Sequence, residues 1–400
     1  MGRIIFAWNY REWGGAQIYF LALIKEARKH FETIVVLPKD TDPDFIGFLR
    51  SENVRFEEFL GSLDLAPKSG IFEKLKRHIT RGKSEYAMLR KISEIGLDNT
   101  IVHTDISPGQ SLFSLIWLSL RTHVFVTHHN AQPAVSRLRR AIWRVKFAII
   151  SQFEAFHVFV SNEHAADYYR SLYAGSTASN IEITYTTIHP LELDAALAGD
   201  FERSSVLESV GIRQKFLVLT VGQFIDRKGR WTLLEAARRI SAKRDDIGFV
   251  WLTPILPGID ESETISDFGL ENVFRLIKSS DIGDDRNSIL RFFQIADVFT
   301  LPSFVEGVPI ALLEAMGMGI ASISTNINGI PEAIIHDRTG LLIEPGDPGA
   351  LEDAIIQLIN EPDRRSRLAM DGKLHAREVF DERKMTARAI DKYRSVNRGS

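Results

Sequence analysis

Two glutamates flank a glycine and a proline within residues 296–345. Glu306 precedes Gly307, and Glu314 lies on the apolar helix predicted over 310–316. Glycine allows close backbone approach to a ligand, proline suits a helix start, and the free amides there bind anions. The two carboxylates are about 8 Å or more apart along the axis. A molecule with hydroxyls on both sides of a phosphate, such as a nucleotide-sugar, fits this layout. Each glutamate alone is also typical of a loop or a solvated helix face.

Buried strands and turns must position these carboxylates. The apolar runs 297–301 and 320–324 predict strands before and after the helix. Gly317 and Gly319 are expected to end the helix. A turn at Asn328-Gly329 then leads into another short helix.

A second loop with similar properties lies between the predicted strand 215–221 and the amphipathic helix 230–240. It contains Gln223 and ends in Lys228-Gly229. A strand, a glycine-containing turn and a helix make up the usual phosphate-binding arrangement. Lys228 alone could also be an ordinary surface lysine.

The N-terminal half repeats this arrangement and places polar residues after its strands. Gly14-Gly15 separates a first strand from a helix, although most such pairs are plain turns. Asp105 follows the strand that ends at 101–103, and His128 and His129 follow the strand 124–127. Because open α/β sheets bind ligands at the carboxyl ends of their strands, these side chains are candidate site residues.

The sequence motif EGVPIALLEAM, followed by NGIPEAI and TGLLIEPGD, resembles the nucleotide-sugar site of retaining glycosyltransferases of family 4 (glycosyl transferases group 1). The resemblance implies the α/β class and the GT-B fold, with two Rossmann-like domains facing each other across a cleft. Its domains would be 1–190 for the acceptor and 191–379 for the nucleotide-sugar. A helix in 380–400 would cross back to the N-terminal domain.

The resemblance also assigns roles to residues that hold the nucleotide-sugar. Glu306 would hold sugar hydroxyls and Glu314 the ribose, while His129 would face the sugar. Lys228 would neutralise the diphosphate, with Gln223 where the family has an arginine. Thus the predicted catalytic residues are His129, Glu306 and Lys228, and the predicted nucleotide-sugar site comprises Gly15, Gln223, Lys228, Glu306, Gly307, Val308 and Glu314.

Three residues are predicted to contact the acceptor: Gly14, Asp105 and His128, the last also being the fallback for His129. The family often has a histidine where this chain has Asp105. Two further stretches depart from the family pattern, at 186–189 and at 253–258. The departures leave open whether catalysis is reduced.

Composition limits the class of protein. The chain has 400 residues with 44% hydrophobic and 25% charged residues, enough for two globular domains, and a net charge of −3. The absence of cysteine excludes disulfides and thiolate metal sites and fits a cytoplasmic location. No transmembrane helix, signal peptide or nucleic-acid partner is expected. The Asp-x-Asp at Asp40 and Asp42 reads as a solvated turn, so neither metal nor cofactor is predicted beyond the nucleotide-sugar substrate.

Two basic segments predict peripheral contact with an anionic membrane. Residues 68–91 hold eight lysines or arginines against two acids, and 137–150 hold five with no acid. Basic helices with interleaved apolar residues can lie on an anionic bilayer. The alternative is a core-facing helix with a solvated basic side, or, for 68–91, contact with an anionic acceptor.

The function predicted is transfer of a sugar from a nucleotide-diphosphate sugar to a glycan or lipid-linked acceptor, in synthesis of a cell-surface polysaccharide or glycolipid. Retention of anomeric configuration is the family expectation, with the leaving phosphate helping to deprotonate the acceptor. Two alternatives remain, a non-catalytic subunit of the same fold and a nucleotide-sugar epimerase. The sequence does not identify the sugar, the base or the acceptor.

Overall fold

The computed structural model describes residues 2–10, 15–62, 71–131, 136–255, 261–283 and 285–397. The chain divides into two compact units. The first holds Met1–Tyr185 and Lys384–Ser400, and the second holds Thr186–Arg383. The sequence predicts breaks after residues 190 and 379.

Strands and helices alternate along the first unit. In chain order they are β1 (Arg3–Ala7), α1 (Gly15–Ala27), β2 (Glu32–Pro38), α2 (Pro43–Ser51), β3 (Arg55–Phe59), α3 (Ile71–Ile95), β4 (Thr100–Thr104), α4 (Pro108–Ser119), β5 (His123–His128), α5 (Arg137–Ile150), β6 (Phe156–Val160), α6 (Glu163–Arg170), α7 (Gly175–Ser179) and β7 (Glu182–Ile183). The described strands form one parallel sheet in the order β3-β2-β1-β4-β5-β6-β7. This order reverses direction between β1 and β4, where Ile5 pairs with Val102.

The core of the first unit lies on both faces of this sheet. One face packs β-strand residues such as Val102 against Met88 of α3 and Phe147 of α5. The other packs Phe6 and Phe20 with side chains from the C-terminal helix α17 (Glu382–Asn397). That helix contributes Tyr393, whose hydroxyl lies 2.6 Å from His103 Nδ1. The predicted return of the C-terminal helix to the first domain is therefore confirmed.

The second unit has the same organisation. Its elements are α8 (Pro190–Ala198), α9 (Arg203–Ser209), β8 (Phe216–Val221), α10 (Arg230–Ser241), β9 (Ile247–Thr253), α11 (Glu261–Asp267), β10 (Phe274–Lys278), α12 (Arg286–Phe292), β11 (Val298–Leu301), α13 (Ile310–Met318), β12 (Ala321–Thr325), α14 (Ile330–Ala333), β13 (Leu341–Ile343), α15 (Pro348–Asn360) and α16 (Pro362–Val379), followed by α17 (Glu382–Asn397), which continues into the first unit. Short 3-10 turns occupy Asp226–Lys228, Ser279–Asp281 and Phe293–Ile295. The parallel sheet has the order β10-β9-β8-β11-β12-β13 and reverses between β8 and β11.

The end of α13 corrects one expectation. The helix continues through Gly317 and stops at Gly319, whose φ of +85° suits a left-handed cap. A Cβ on Gly317 would lie 2.6 Å from side-chain carbons of Ile188 and Leu193. Gly317 therefore permits close packing of α13 against α8 and does not terminate the helix.

Candidate active site

Two loops of the second unit meet where its sheet reverses direction. One follows β8 and carries Lys228, and the other follows β11 and carries Glu306. Lys228 Nζ lies 2.6 Å from Glu306 Oε1, and both side chains are largely buried. The crevice at such a reversal is the usual ligand site of a doubly wound sheet. The structure thus brings together two of the predicted site residues.

Glycines allow these loops to approach each other. Gly229 has a φ of +79°, and a Cβ there would overlap the carbonyl oxygen of Pro302 at the end of β11. Backbone hydrogen bonding then joins the loops, because Phe304 N donates to Arg227 O at 2.8 Å. The Arg227 guanidinium also donates to Val305 O at 3.2 Å. The position of Lys228 relative to Glu306 is therefore set by backbone contacts.

Two residues that the sequence analysis did not assign to the site hold Glu306. Ser303 Oγ donates to Glu306 Oε1 at 2.8 Å, so this oxygen receives two hydrogen bonds. The backbone N–H of Glu306 donates to Asn328 Oδ1 at 3.3 Å. Serine and asparagine are common in loops, so neither role could be recognised from the sequence alone.

The start of α13 faces the same crevice through its backbone. Pro309 caps the helix, preceded by Gly307 and the buried Val308. The N–H groups of a first helical turn have no partner within the helix and favour an anion. Gly329 packs on this segment, because a Cβ there would lie 2.7 Å from Gly307 O. Gln223, in the loop that follows β8, is exposed and uncharged.

Glu314 is buried on α13 and forms an ion pair that the sequence did not reveal. Its Oε1 lies 2.6 Å from Arg286 Nη2 of α12, and Arg286 Nε donates to Glu192 of α8 at 3.1 Å. Burial raises the pKa of the Glu314 carboxyl, and the charge of Arg286 partly offsets that rise. The two carboxylates raise the pKa of Arg286, so the guanidinium stays charged.

The first unit carries its own polar cluster at the reversal between β1 and β4. Tyr10, after β1, donates its hydroxyl to Asp105 Oδ2 at 2.6 Å, and Asp105 follows β4. Asp105 Oδ1 lies 3.6 Å from His129 Nε2. His129 Nε2 is buried and has no hydrogen-bond partner among the described residues. Its ring lies edge-on to Tyr19, with centroids 5.1 Å apart.

Burial and charge oppose each other in this cluster. Burial lowers the pKa of His129, and the nearby Asp105 raises it. Burial likewise raises the pKa of Asp105, against the lowering effects of His129 and of the Tyr10 hydrogen bond. A neutral imidazole with an available nitrogen can donate or accept one hydrogen bond from a ligand hydroxyl.

His128, predicted as an acceptor residue and as the fallback for His129, does not join this cluster. Its ring stacks on Tyr169 with centroids 3.8 Å apart, and Nε2 lies 2.8 Å from the Tyr173 hydroxyl. Burial is the main cause that lowers the pKa of His128 to about 3. Alternate residues of a strand face opposite sides of the sheet, and His128 shares with Val126 the side covered by α5.

The remaining predicted positions fall at loop edges. Gly15 begins α1 after β1, and Gly14 lies outside the described residues. Asp40 and Asp42 lie between β2 and α2. Within the described ranges no three carboxylate, imidazole or thiolate groups cluster as metal ligands would. No described helix is both long and apolar enough to cross a bilayer.

The comparisons with known proteins agree on family and fold. Residues 207–375 match the model of the family described as glycosyl transferases group 1. Among curated relatives, the amylovoran biosynthesis glycosyltransferase AmsK of Erwinia amylovora is 29% identical over 193 residues, which is 46% of this chain and 43% of that protein. The capsular polysaccharide biosynthesis glycosyltransferase CapM of Staphylococcus aureus is 24% identical over 171 residues, 42% of this chain and 43% of that one. The alignments therefore span less than half of these relatives.

Solved structures match along the whole chain. Anabaena HepE in complex with UDP-glucose superposes with a TM-score of 0.74 at 16% identity, covering 99% of this chain and 100% of that one. Sucrose-phosphate synthase from Thermosynechococcus elongatus gives 0.73 at 18% identity and covers both chains fully. At these identities the likeness shows the fold, and it confirms the predicted GT-B class with two Rossmann-like domains.

Proposed function

Residues 207–375 of this chain match the model of the glycosyl transferases group 1 family, and on that premise we propose that the protein is a retaining glycosyltransferase. It would move a sugar from a nucleotide-diphosphate sugar to a glycan or lipid-linked acceptor. The observation that carries the proposal is the Lys228–Glu306 pair at the reversal of the second sheet, beside the helix start at Gly307. The crystal structure of the structural neighbour HepE contains UDP-glucose.

Different residues of the second unit would bind different parts of the nucleotide-sugar. The Lys228 ammonium and the amides around Gly307 and Val308 would stabilise the leaving diphosphate, because fixed donors aimed at developing charge lower the barrier. Gln223 would add an uncharged hydrogen bond. Glu306 would accept hydrogen bonds from sugar hydroxyls, and Glu314 from the ribose. In the first unit, Gly15 would approach the diphosphate.

The reaction requires one bond to form and one to break at the anomeric carbon. The bond to the diphosphate oxygen breaks, the acceptor oxygen bonds to the same face, and the acceptor proton passes to the leaving phosphate. We assign no metal to these steps. His129 would hydrogen-bond a sugar hydroxyl through its neutral imidazole, and Asp105 would contact the acceptor.

The pathway proposed is the synthesis of a cell-surface polysaccharide or glycolipid at the cytoplasmic face of a membrane. The names of AmsK and CapM refer to amylovoran and capsular polysaccharide biosynthesis. The basic segments 68–91 and 137–150 would supply the contact with the anionic membrane surface.

A panel of UDP-, GDP- and ADP-linked sugars tests the proposal through release of nucleoside diphosphate. Purified protein with a membrane extract as the acceptor source should release diphosphate from one class of sugar nucleotide. Glu306→Gln should abolish that release. If no member of the panel yields diphosphate, and none raises the melting temperature, glycosyl transfer is contradicted.

A non-catalytic subunit of the same fold is the second candidate. The observation that favours it is Gln223, exposed and uncharged where the family has a cation. Such a subunit would bind a glycan or partner without releasing diphosphate, and Glu306→Ala would leave that binding unchanged. An epimerase would instead form a new sugar nucleotide with no acceptor present.

A further inference from the structure

Helix α5 has two separate apolar faces. Trp143, Phe147 and Ile150 face the core of the first unit. Leu138, Ile142, Val145 and Ile149 point the other way and are between 42% and 73% exposed. Their spacing of four, three and four residues places them in one row along the helix. A core-facing helix needs no such second row.

Arginines lie on both sides of this exposed row, Arg139 on one side and Arg137 and Arg144 on the other. Arg137, Arg139, Arg140 and Arg144 are all exposed, and α5 contains no acidic residue. The Arg139 guanidinium lies 4.9 Å from the centre of the Trp143 ring, which holds it beside the row. An apolar stripe flanked by cations is the pattern of a helix that lies in a membrane interface.

Helix α3 presents a similar face. Phe72, Ile79 and Tyr86 recur every seven residues and are exposed, Phe72 by 87%. Three exposed cations, Lys76, Lys83 and Arg90, alternate with them at steps of three and four residues and so share that face. Three acids, Glu73, Glu85 and Glu94, also lie on this helix. Glu85 is buried, and Arg90 pairs with Glu94.

Helix α4 joins these two faces into one surface. Ser111 and Ser114 of α4 donate to Glu85 of α3 at 2.5 and 2.6 Å, and Lys146 of α5 donates to Gly109 O of α4 at 3.0 Å. The helix carries no charged residue, and its Phe113 is 86% exposed. The exposed apolar side chains of the three helices therefore belong to one side of the first unit.

The cations on this surface lie close enough to affect one another. Burial lowers the pKa of Arg81 on α3, Glu85 opposes that effect, and the charges of Arg77 and Arg139 lower it further. Arg139 belongs to α5, so cations of both helices share one electrostatic field. An anionic surface would relieve this repulsion.

We propose that this surface docks on an anionic lipid bilayer, with the exposed apolar side chains in the headgroup boundary and the cations on lipid phosphates. The bilayer-facing surface comprises Phe72, Ile79 and Tyr86 of α3, Phe113 of α4, and Leu138, Ile142, Val145 and Ile149 of α5. Two copies of this face would bring like charges together, which disfavours self-association. A nucleic acid would use the cations but leave the aliphatic row in water.

The surface also begins at the sheet edge that carries the acceptor candidates. Helices α3, α4 and α5 follow β3, β4 and β5, so their N-terminal ends lie at the carboxyl edge of the sheet, where Asp105 and His129 are found. Docking would therefore place that edge near headgroups and favour a lipid-linked acceptor. This last step rests on the proposed function, whereas the docking itself does not.

Vesicle binding tests the docking directly. Full-length protein should sediment with vesicles of phosphatidylcholine mixed with phosphatidylglycerol, and far less with phosphatidylcholine alone. Replacing Arg137, Arg139 and Arg140 by glutamine should weaken the partition coefficient by about a hundredfold, since each cation near an anionic surface contributes about fivefold. The triple change Leu138→Ser, Ile142→Ser and Val145→Ser should weaken it by at least about tenfold.

A matched control uses exposed apolar residues of the second unit. Met370→Ser with Leu374→Ser makes the same kind of change at similarly exposed positions and should leave vesicle binding unchanged. The melting temperature checks folding of every variant, and Phe113→Ser provides a single change with little risk to the core. Equal binding by the wild type and both triple variants would overturn the inference.

Two further results would overturn it in favour of another occupant. Sedimentation equilibrium showing a wild-type dimer that the serine variant dissociates, with no vesicle binding, would identify a second copy. Binding of RNA that the arginine variant loses and the serine variant keeps, again without vesicle binding, would identify a nucleic acid. Failure of the docking proposal can be distinguished from failure of the proposed glycosyl transfer by measuring diphosphate release with a water-soluble acceptor. The docking variants should keep this transferase activity, because none of the substituted residues belongs to the proposed active site.

Discussion

Lys228 Nζ lies 2.6 Å from Glu306 Oε1, on two loops that meet where the second sheet reverses direction. The carboxylate also accepts a hydrogen bond from Ser303. Burying the ammonium with a carboxylate partner costs less free energy than burying it unpaired. When a diphosphate binds, the ammonium can exchange part of that interaction for the ligand and leave Glu306 available to sugar hydroxyls.

Removing the ammonium should impair turnover strongly. We predict that Lys228→Ala lowers kcat by about a hundredfold or more, the usual scale for loss of one fixed group that stabilises developing charge. The measurement is diphosphate release at saturating nucleotide-sugar. Lys243→Ala is the control, because Lys243 also pairs with a carboxylate, that of Glu352, but is exposed and lies beyond the end of α10. A change below threefold for Lys228→Ala would reject its role.

Ser303 should act by positioning Glu306. We predict that Ser303→Ala lowers kcat/KM by about tenfold, the scale of one hydrogen bond to a charged group. Ser303→Thr keeps a hydroxyl and should recover part of the loss. If Ser303 has only a packing role, both Ser303→Ala and Ser303→Thr will lower the melting temperature, and kcat/KM will not differ between them. That result would contradict the positioning role.

The Arg286–Glu314 pair predicts a pH-dependent stability. Arg286→Ala should lower the free energy of unfolding of the second unit by about 1–2 kcal/mol at pH 7, a modest value because Arg286 is partly exposed. Burial already raises the pKa of Glu314, and loss of Arg286 raises it further. A folded state that binds a proton at higher pH than the unfolded chain gains stability as the pH falls.

The stability difference between Arg286→Ala and the wild type should therefore narrow from pH 7 toward pH 5. Urea titrations followed by the fluorescence of the buried Trp251 can measure this. Adding Glu314→Gln to Arg286→Ala removes the titrating group, so that double variant should show no narrowing. A difference that widens at acid pH would contradict the assigned cause.

The pair of His129 and Asp105 predicts a direction for a pKa change. The pKa of His129 should lie below the ordinary value of 6.5, because burial lowers it more than Asp105 raises it. Asp105→Asn removes the raising charge and should lower that pKa further. NMR of histidine-labelled protein can follow the imidazole, assigned with His129→Gln, while His128 should stay neutral above pH 4. An unchanged or higher pKa in Asp105→Asn would contradict the contact.

Much of the sheet could be predicted because buried parallel strands are short runs of apolar and β-branched residues. The runs around Ile34, Phe249 and Val298 are examples, and each forms a strand. Helix α4 was not predicted, because its sequence is apolar on most sides and shows no period. Strand β13 is only three residues long and falls below what a pattern reveals.

The residues of the candidate site could be predicted where they lie close in sequence to a strand end and a glycine. Glu306, Gly307 and Lys228 follow strand ends at recognisable glycines. Arg286 could not be found this way, because its partner Glu314 is distant in sequence and no motif links them. The choice between His128 and His129 depended on which side of the sheet each faces. Both sides are covered by core residues, Val126 on one and Phe125 on the other, so the apolar pattern of the strand could not decide it.

Calorimetric titration of UDP-, GDP- and ADP-linked sugars into the wild type and Lys228→Ala tests the central claim most directly. We predict that one nucleotide class binds the wild type and that the alanine variant binds it at least about tenfold more weakly. Equal affinity for both proteins, or no heat from any nucleotide-sugar, would contradict a diphosphate site at Lys228 and Gly307.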